Sequence, residues 1–380
     1  MERADVVIIG GGVIGASIAY HLVSKGVRDV IVLERDRLGS GSTSRNAGGV
    51  RLQFSTEINV RLSQRSLQRL ERFEDELGVD PDFKQVGYLF LVTTDRDADA
   101  FERSLELWAR LGVPAQRLDQ KQVHELFPEV RVDDVRFATF CAKDGYLDPS
   151  SLLNGYVARA RERGVLFREG SAVTAIDRDQ GRVTAVRTAA GAIATTTVVN
   201  AAGPWAAQVG ALAGVDLPIA ALRRQIFVTD PVHGLDRDFP MTVEMATAFY
   251  FHRESGGVLM GMADPADKPG FDDSVNWDFL PTIVERALNR MPALEKANVK
   301  TGWAGLYEDT PDKHPILGHI DSVPGFVSAA GFSGHGLMHA PAVGEAIAEL
   351  IIDGKTTLDI SALSYERFAR GDLIREHNVI

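Results

Sequence analysis

The chain has 380 residues, a formal net charge of -11 and a hydrophobic content of 45%, which is ordinary for a globular protein. The negative charge disfavours a nucleic-acid partner, which would require a basic face, and the single cysteine, Cys141, excludes an internal disulfide. No apolar run reaches the roughly 18 residues of a membrane-spanning helix, and no signal sequence precedes the first apolar run, so we expect a cytoplasmic chain of two domains.

The first 34 residues have the pattern of a nucleotide-binding unit. An apolar run over residues 5–9 leads directly into the glycine turn of residues 10–15, and a helical stretch covers residues 16–23. A second apolar run over residues 30–33 ends at Glu34. Strand, glycine turn, helix, strand and acid in this order are typical of a fold that binds the ADP half of a dinucleotide. A purely structural glycine turn is the alternative that this segment alone leaves open.

Each glycine of the turn has a separate predicted role. Gly10 allows the tight turn, Gly12 lets a pyrophosphate approach the backbone, and Gly15 lets the helix pack close to the strand. Free N–H groups at the start of the helix then face the phosphates. Glu34 ends the second strand, where its carboxylate is placed to accept hydrogen bonds from both ribose hydroxyls.

Hydrophobic periodicity and turn residues predict the elements that follow. In chain order they are a glycine- and serine-rich loop over 40–54, an amphipathic helix over 57–77, a strand over 87–92, helices over 96–112 and 119–127, a turn over 144–149 that caps a helix over 150–163, a meander with strands at 165–167, 172–176, 183–186 and 192–194, a strand and helix start over 198–205, several strands between 222 and 262, and a helix over 278–290.

These elements predict a mixed α/β chain, α+β overall. It has a Rossmann-like nucleotide-binding domain and a second, substrate-binding domain built on a mostly antiparallel sheet. The chain leaves the first domain and returns to it twice, so that domain is discontinuous. The predicted ranges are 1–80, 145–215 and 308–380 for the first domain, and 81–144 and 216–307 for the second.

A second glycine-rich turn lies far from the first in sequence. A strand over residues 325–330 runs into residues 331–336, of which four are glycine or serine, and a helix over 340–352 follows. Accessible backbone N–H groups in such a turn suit an electron-rich flat ring or an oxyanion. A tight strand-to-helix connection is the alternative interpretation.

Several segments together resemble the amino-acid oxidase superfamily of flavoproteins, and within it sarcosine oxidase and the FAD-bearing beta subunit of dye-linked proline dehydrogenase. The resemblance covers essentially the whole chain. It is carried by residues 10–15, Glu34-Arg35, residues 39–44, Asn200-Ala201-Ala202-Gly203, Trp303-Ala304-Gly305-Leu306-Tyr307, residues 310–318 and Gly331-Phe332-Ser333-Gly334-His335-Gly336.

The resemblance implies that the nucleotide is FAD. Gly305 stands where monomeric sarcosine oxidase attaches FAD through a cysteine, and residues 44–46 contain no histidine, so the FAD is expected to be non-covalent. The positions that the resemblance assigns to cofactor binding are Gly10, Gly12, Val13, Ile14, Gly15, Glu34, Arg35, Ser42, Thr43, Ser44, Gly48, Val173, Ala202, Gly203, Trp205, Gly305, Gly331, Gly334, His335, Gly336 and Leu337.

The implied reaction is the oxidation of a small secondary α-amino acid, such as sarcosine, another N-methyl amino acid or proline, by hydride transfer to flavin N5, giving an imine. An arginine suits the substrate carboxylate because its guanidinium donates two parallel hydrogen bonds. Arg51 occupies the corresponding family position, with Arg45 as a lower-ranked alternative. The candidate catalytic residues are Arg51, Tyr250, His252, Tyr307 and His335.

Four questions stay open at this point. Met338 replaces a family lysine that binds the carboxylate, so the exact substrate is not fixed, and electrons pass either to oxygen or to partner subunits of a hetero-oligomer. A flavin-dependent hydroxy-acid dehydrogenase is a further alternative. Strand alternation places Tyr250 and His252 on one face of the strand and Phe249 and Phe251 on the other, but it does not show which face meets the substrate. No cluster has metal-ligand spacing, so no metal is expected.

Overall fold

A six-stranded sheet forms the nucleotide-binding part of the computed structural model, which describes residues 2–379. Five strands are parallel, and the edge strand Ile316–His319 is antiparallel to its neighbour. Apart from the edge strand Leu166–Arg168, the parallel strands are buried along their whole length, as is typical of parallel strands covered by helices. In spatial order the strands are Ile316–His319, Phe326–Ala330, Val198–Asn200, Val6–Ile9, Val30–Leu33 and Leu166–Arg168.

The strand Leu166–Arg168 corrects the predicted meander. It pairs in parallel with Val30–Leu33 at the edge of the six-stranded sheet instead of joining the strands that follow it. The rest of the meander is present as Val173–Asp179, Arg182–Thr188 and Gly191–Ala194. Apolar spacing does not distinguish these two arrangements, because a short edge strand has the same pattern in either sheet.

The second sheet has eight strands and is mostly antiparallel. Only Met241–Glu244 and Tyr88–Val92 pair in parallel. In spatial order the strands are Val299–Asp309, Ala220–Thr229, Gly257–Met262, Phe249–Glu254, Met241–Glu244, Tyr88–Val92, Phe137–Cys141 and Gln116–Leu118. A small separate ladder joins Gly49–Val50 to Gly145–Tyr146. The division of the chain into the two predicted domains stays a prediction.

Helices cover the sheets. They are Val13–Ser24, Glu57–Leu70, Phe73–Leu77, Asp95–Leu111, Gln120–Leu126, Pro149–Glu162, Ala206–Leu212, Leu280–Arg290, Gly336–Asp353 and Arg367–Arg370, with short 3-10 segments at Ser42–Arg45, Gly203–Trp205, Trp277–Phe279, Pro292–Lys296 and Ser361–Leu363. The helix predicted over 57–77 is in fact two, because Arg72 leaves the helical conformation and turns Phe73 edge-on against Tyr156. No helix within residues 2–379 is long and apolar enough to cross a membrane.

Two helices meet behind the nucleotide-binding sheet. The Ser17 hydroxyl in Val13–Ser24 donates to the carbonyl of Ala340 in Gly336–Asp353 at 2.8 Å, and a side chain at Gly344 would collide with Ser17. The second helix begins four residues earlier than predicted and contains Pro341. The helix Gly336–Asp353 therefore starts directly at the second glycine turn. Its packing on the helix Val13–Ser24 brings its N-terminus close to the first glycine turn.

Candidate functional site

A large cavity of about 670 Å³ lies between the six-stranded and eight-stranded sheets. Its walls combine both glycine turns with side chains of the second sheet, so segments far apart in sequence share one space. The predicted site residues that line it are Gly10, Gly12, Val13, Ile14, Glu34, Arg35, Ser42, Thr43, Arg51, Val173, Ala202, Gly203, Trp205, Tyr250, Gly305, Tyr307, Gly334, His335, Gly336 and Leu337.

Four other predicted cofactor positions lie just outside the lining. A side chain at Gly15 would collide with the carbonyl of Gly10, and one at Gly48 with the carbonyl of Leu147. Gly331 donates its N–H to the Glu308 carboxylate at 2.8 Å. Ser44 is exposed. The three glycines therefore shape the backbone around the cavity.

Gly12 differs from the other glycines of the first turn. It precedes the helix Val13–Ser24 with an extended backbone, and a side chain there would meet only the Thr43 hydroxyl, at 3.1 Å. Gly10, in contrast, has φ +114° and no room beside Ala201. Packing requires Gly10 but leaves Gly12 open towards the cavity, and this space fits a ligand that approaches the backbone.

We call the open space beside the Gly12 backbone the cradle, and Glu34 is fixed at its rim. One carboxylate oxygen accepts the N–H of Gly11 and the other accepts the N–H of Asp36, both at 2.8 Å. A carboxylate has about four acceptor positions, so capacity remains for ligand hydroxyls. The geometry fits a ribose-binding acid.

The loop after the first turn is bonded to the second sheet. The Ser42 hydroxyl donates to the Leu306 carbonyl at 2.6 Å, and the Trp303 indole donates to the Arg45 carbonyl at 3.1 Å. A side chain at Gly305 would come within 2.9 Å of Arg45 Cβ. The strand Val299–Asp309 and the loop therefore approach at a distance that only glycine permits.

The strand Phe249–Glu254 turns its two faces to different surroundings. Phe249 and Phe251 pack in a hydrophobic core between the eight-stranded sheet and the helix Leu280–Arg290, whereas Tyr250 lines the cavity. This arrangement resolves the question of orientation that the sequence left open.

His252 lies outside the cavity although it shares the face of Tyr250. Its Nε2 is 3.0 Å from the Ala47 carbonyl and its Nδ1 is 2.7 Å from the Arg253 carbonyl. The ring stacks on Tyr146 with centroids 4.3 Å apart. These contacts attach the loop over residues 40–54, which we call the cavity loop, to the eight-stranded sheet.

Arg51 lies at the cavity wall and is only 2% exposed. Its guanidinium donates to the carbonyls of Gln53 at 2.8 Å and Asn378 at 2.5 Å, and its Cζ lies 3.9 Å from the centre of the Phe54 ring. The groups that contact this cation directly are neutral, and the nearby carboxylates of Asp144 and Glu376 form no ion pair with it among residues 2–379. Such a site favours an anionic ligand.

His335 is neutral beside this cation. Burial, together with the Arg51 charge, holds the pKa of His335 well below its usual value. Because Nε2 is 3.3 Å from the donor Nη2 of Arg51, we assign the ring proton to Nδ1, which has no hydrogen-bond partner within residues 2–379. That buried N–H is available to a ligand in the cavity.

Sequence reasoning missed four charged residues of the lining, Asp36, Arg224, Asp273 and Glu308, of which Arg224 and Glu308 lie beside Tyr307 and the second glycine turn. Arg224 lies over the Tyr307 ring, with Cζ 4.9 Å from the centroid. Glu308 accepts the N–H of Gly331, and burial raises the pKa of its carboxyl to about 7. Alternation along the strand Ala220–Thr229 separates Arg224 from Arg223, but the sequence does not show which of them faces inward.

A model of the FAD dependent oxidoreductase family matches residues 5–350. The chain belongs to this family. Over its whole length it is 35% identical to FAD-dependent oxidoreductase domain-containing protein 1 of Xenopus laevis, 85% of which is covered. It is 31% identical, over 97% of its length, to mitochondrial sarcosine dehydrogenase of Mus musculus, but spans only 42% of that protein. The crystal structure of L-proline dehydrogenase from P. horikoshii superposes with a TM-score of 0.92 and 34% identity, covering 98% of this chain and 99% of that one.

Family membership confirms the predicted flavoprotein resemblance, the Rossmann-like fold and FAD as the cofactor. The open space at Gly12 and the unpartnered Nδ1 of His335 fit that cofactor. The carboxylate of Glu34 fits its ribose. The roles of individual residues in binding FAD stay predictions.

Replacing Gly12 tests the cradle. Gly12→Val fills the space above the turn without meeting other backbone, so we expect a folded oxidoreductase that binds FAD about tenfold more weakly or worse, a loss of roughly 1.4 kcal/mol. The measurements are flavin occupancy after purification and the Kd of FAD for the apoprotein from fluorescence quenching. Gly270→Val, on an open loop, is the matched control, and normal FAD affinity in Gly12→Val would misplace the cradle.

Asp144 supports the loop that carries Arg51 and makes stability depend on pH. Its carboxylate accepts the Leu52 N–H at 2.9 Å and the Gln53 amide at 3.0 Å, and burial raises its pKa from 3.8 to about 7. A carboxyl group whose pKa is raised in the folded state stabilises the folded protein at low pH. This stability is lost as pH rises from the unfolded pKa of 3.8 through the folded pKa of about 7. We therefore expect the Tm of Asp144→Asn minus that of the parent protein to increase between pH 5 and pH 8.

The control for this comparison is Asp321→Asn, at an exposed position, whose Tm difference is expected to be the same at both pH values. Melting curves recorded by circular dichroism at constant ionic strength provide the measurement. Parallel curves for Asp144→Asn and the parent protein would show that Asp144 does not titrate in this range.

Proposed function

We propose that this oxidoreductase oxidises a small secondary α-amino acid, such as sarcosine, another N-methyl amino acid or proline, to the corresponding imine. The observation that carries the proposal is the continuity of one cavity from the cradle at Gly12 to the cation Arg51. A cofactor held at the first end and a carboxylate held at the second would bring the α-carbon between them.

The comparisons support this substrate class. The relatives named above are a sarcosine dehydrogenase and an L-proline dehydrogenase, and both of those amino acids carry a secondary amine. The chain spans less than half of the sarcosine dehydrogenase. The activity of that protein is therefore proposed only for the part that this chain matches.

The substrate would bind through its carboxylate. Arg51 supplies the positive charge, and Tyr307 lines the same end of the cavity. Burial raises the pKa of Tyr307 above its ordinary value, so its hydroxyl stays protonated and can donate a hydrogen bond. Together these groups orient the α-carbon and hold the amino group away from the charged arginine.

Bound FAD supplies the two-electron acceptor for the hydride from the α-carbon. The residues around the cavity provide placement: the amine must be neutral so that its lone pair forms the C=N bond as the hydride leaves. The uncharged His335 adds no second positive charge beside Arg51. The positive charge of Arg51 disfavours an ammonium nearby and so favours the neutral form of the amine.

We also propose that FAD is held non-covalently and that the chain works in a reducing, cytoplasmic setting. Gly305 leaves no thiol in the segment that faces the cavity loop, and the one cysteine, Cys141, is buried away from the lining.

Oxygen and an electron-accepting partner subunit are the two alternative acceptors of the electrons from the reduced flavin. Turnover with an artificial dye but not with oxygen would favour the partner subunit.

Anaerobic flavin bleaching tests the function. The purified protein is expected to be yellow, to release free FAD on denaturation, and to lose its flavin absorbance with sarcosine or proline. 2-Hydroxy acids of similar size serve as controls. Bleaching by a hydroxy acid and by no amino acid would overturn the proposal, and flavin retained on the denatured chain would overturn non-covalent binding.

Arg51→Ala tests the carboxylate site. Removing one partner of a buried charge pair costs about 2–5 kcal/mol, so kcat/KM on the best amino acid should fall about 30-fold or more while FAD stays bound. Arg51→Lys should recover only part, because an ammonium does not reproduce the two-pronged geometry. Steady-state kinetics with flavin occupancy provide the measurement.

The matched control is Arg45→Ala, since Arg45 lines the cavity but is already paired with Asp273. We expect a smaller loss in that variant. Near-normal kcat/KM in Arg51→Ala would move the carboxylate to another cation.

A further inference from the structure

We propose that Arg224 is a specificity-determining residue that binds a second carboxylate, so that the preferred substrates are secondary amino acids whose N-substituent or side chain is itself acidic. This inference rests on the proposed function and names a narrower class within it. It is carried by the state of the Arg224 guanidinium and by its place in the cavity.

Arg224 has unused hydrogen-bonding capacity. Its Nη1 donates to the Arg223 carbonyl at 2.8 Å, and its Nε is buried without a partner. Within residues 2–379 no carboxylate forms an ion pair with it. A guanidinium has five N–H donors in a fixed fork that matches a carboxylate, so the missing partner is most simply an anionic ligand.

Neighbouring arginines are paired where Arg224 is not. Arg223, the preceding residue, binds Asp267 at 2.5 Å and Asp272 at 3.0 Å, and Arg45 pairs with Asp273. Carboxylates are therefore abundant around this sheet edge. The chain nevertheless leaves the inward-facing cation without one.

Arg224 and Arg51, neither of which has an ion pair within residues 2–379, both line the cavity near Tyr307. Tyr307 lies under Arg224, and the positive charges of both Arg224 and Arg51 act on the Tyr307 hydroxyl. One carboxylate neutralises one of these cations. The phosphates of FAD belong at the opposite end, on the turn at Gly12, and so leave the second cation uncompensated.

Glu308 does not provide the missing charge. It lines the cavity, but its carboxylate accepts the N–H of Gly331 at the second glycine turn, and it forms no ion pair with Arg224 or Arg51 among the described residues. A substrate with a neutral amine and two carboxylates carries two negative charges. It therefore matches the two cations of this end.

The test compares two substrates that differ by one carboxylate. Sarcosine carries an N-methyl group, and iminodiacetate carries an N-carboxymethyl group in its place. We expect the parent protein to have the higher kcat/KM on iminodiacetate. Arg224→Gln should lower the ratio of kcat/KM, iminodiacetate over sarcosine, by about tenfold or more, as expected for the loss of charge-assisted hydrogen bonds. Arg224→Lys should restore part of it.

Ligand binding gives an independent readout. Thiodiacetate and (methylthio)acetate lack the amine, so their Kd values are measured from perturbation of the oxidised flavin spectrum without turnover. We expect Arg224→Gln to weaken thiodiacetate selectively. Arg223→Gln, which removes a cation already paired with Asp267, is the matched control and should keep the parent's ratio.

Two outcomes would overturn the inference: no preference of the parent protein for iminodiacetate, or an unchanged ratio in Arg224→Gln. If the ratio is unchanged because kcat/KM falls equally on both substrates, Arg224 holds the only carboxylate. Failure of the proposed function is different and visible in the same experiment. In that case neither sarcosine nor iminodiacetate, nor any other amino acid, reduces the flavin of the parent protein.

Discussion

The site depends on one constraint, the attachment of the cavity loop over residues 40–54 to the helix Val13–Ser24 and to the eight-stranded sheet. The Thr43 hydroxyl accepts the N–H of Val13 at 3.1 Å. The loop carries Ser42 and Arg51, and it is bonded to the strand Val299–Asp309 on one side. Behind it, Asp144 accepts the N–H of Leu52. The proposed cofactor contact Ser42 and the proposed substrate cation Arg51 therefore lie on one short segment, and its fixed path sets their separation.

Apart from Arg51, the arginines that are buried among residues 2–379 are paired with carboxylates. Arg367 and Asp312 form a salt bridge at 2.8 Å with side chains 1% and 0% exposed, and Arg290 is paired with Glu244. Breaking such pairs leaves an uncompensated charge, at a cost of about 3–5 kcal/mol. Arg51 at the cavity wall has no such direct ion pair within the described residues, and this difference supports its proposed role as the cation for the substrate carboxylate.

The sequence predicted what is local and missed what depends on tertiary packing. The first glycine turn and its acid fall within 34 residues in the correct order, and family resemblance extended this to Gly305, Tyr307 and the second turn. Three features had no such signal. The edge position of Leu166–Arg168 and the inward face of Arg224 depend on which surfaces are covered, and the Asn378 carbonyl reaches Arg51 across 327 positions.

The two walls of the cavity come from separate sheets, and this separation bears on how such a protein diversifies. The cradle at Gly12 belongs to the parallel sheet, whereas Arg224 and Tyr250 project from the antiparallel one. Distant, independent positions contribute nearly additively. Under the proposed role of Arg224, selection could therefore change single residues on the antiparallel wall and alter which acid is accepted, while the turn at Gly12 stays as it is.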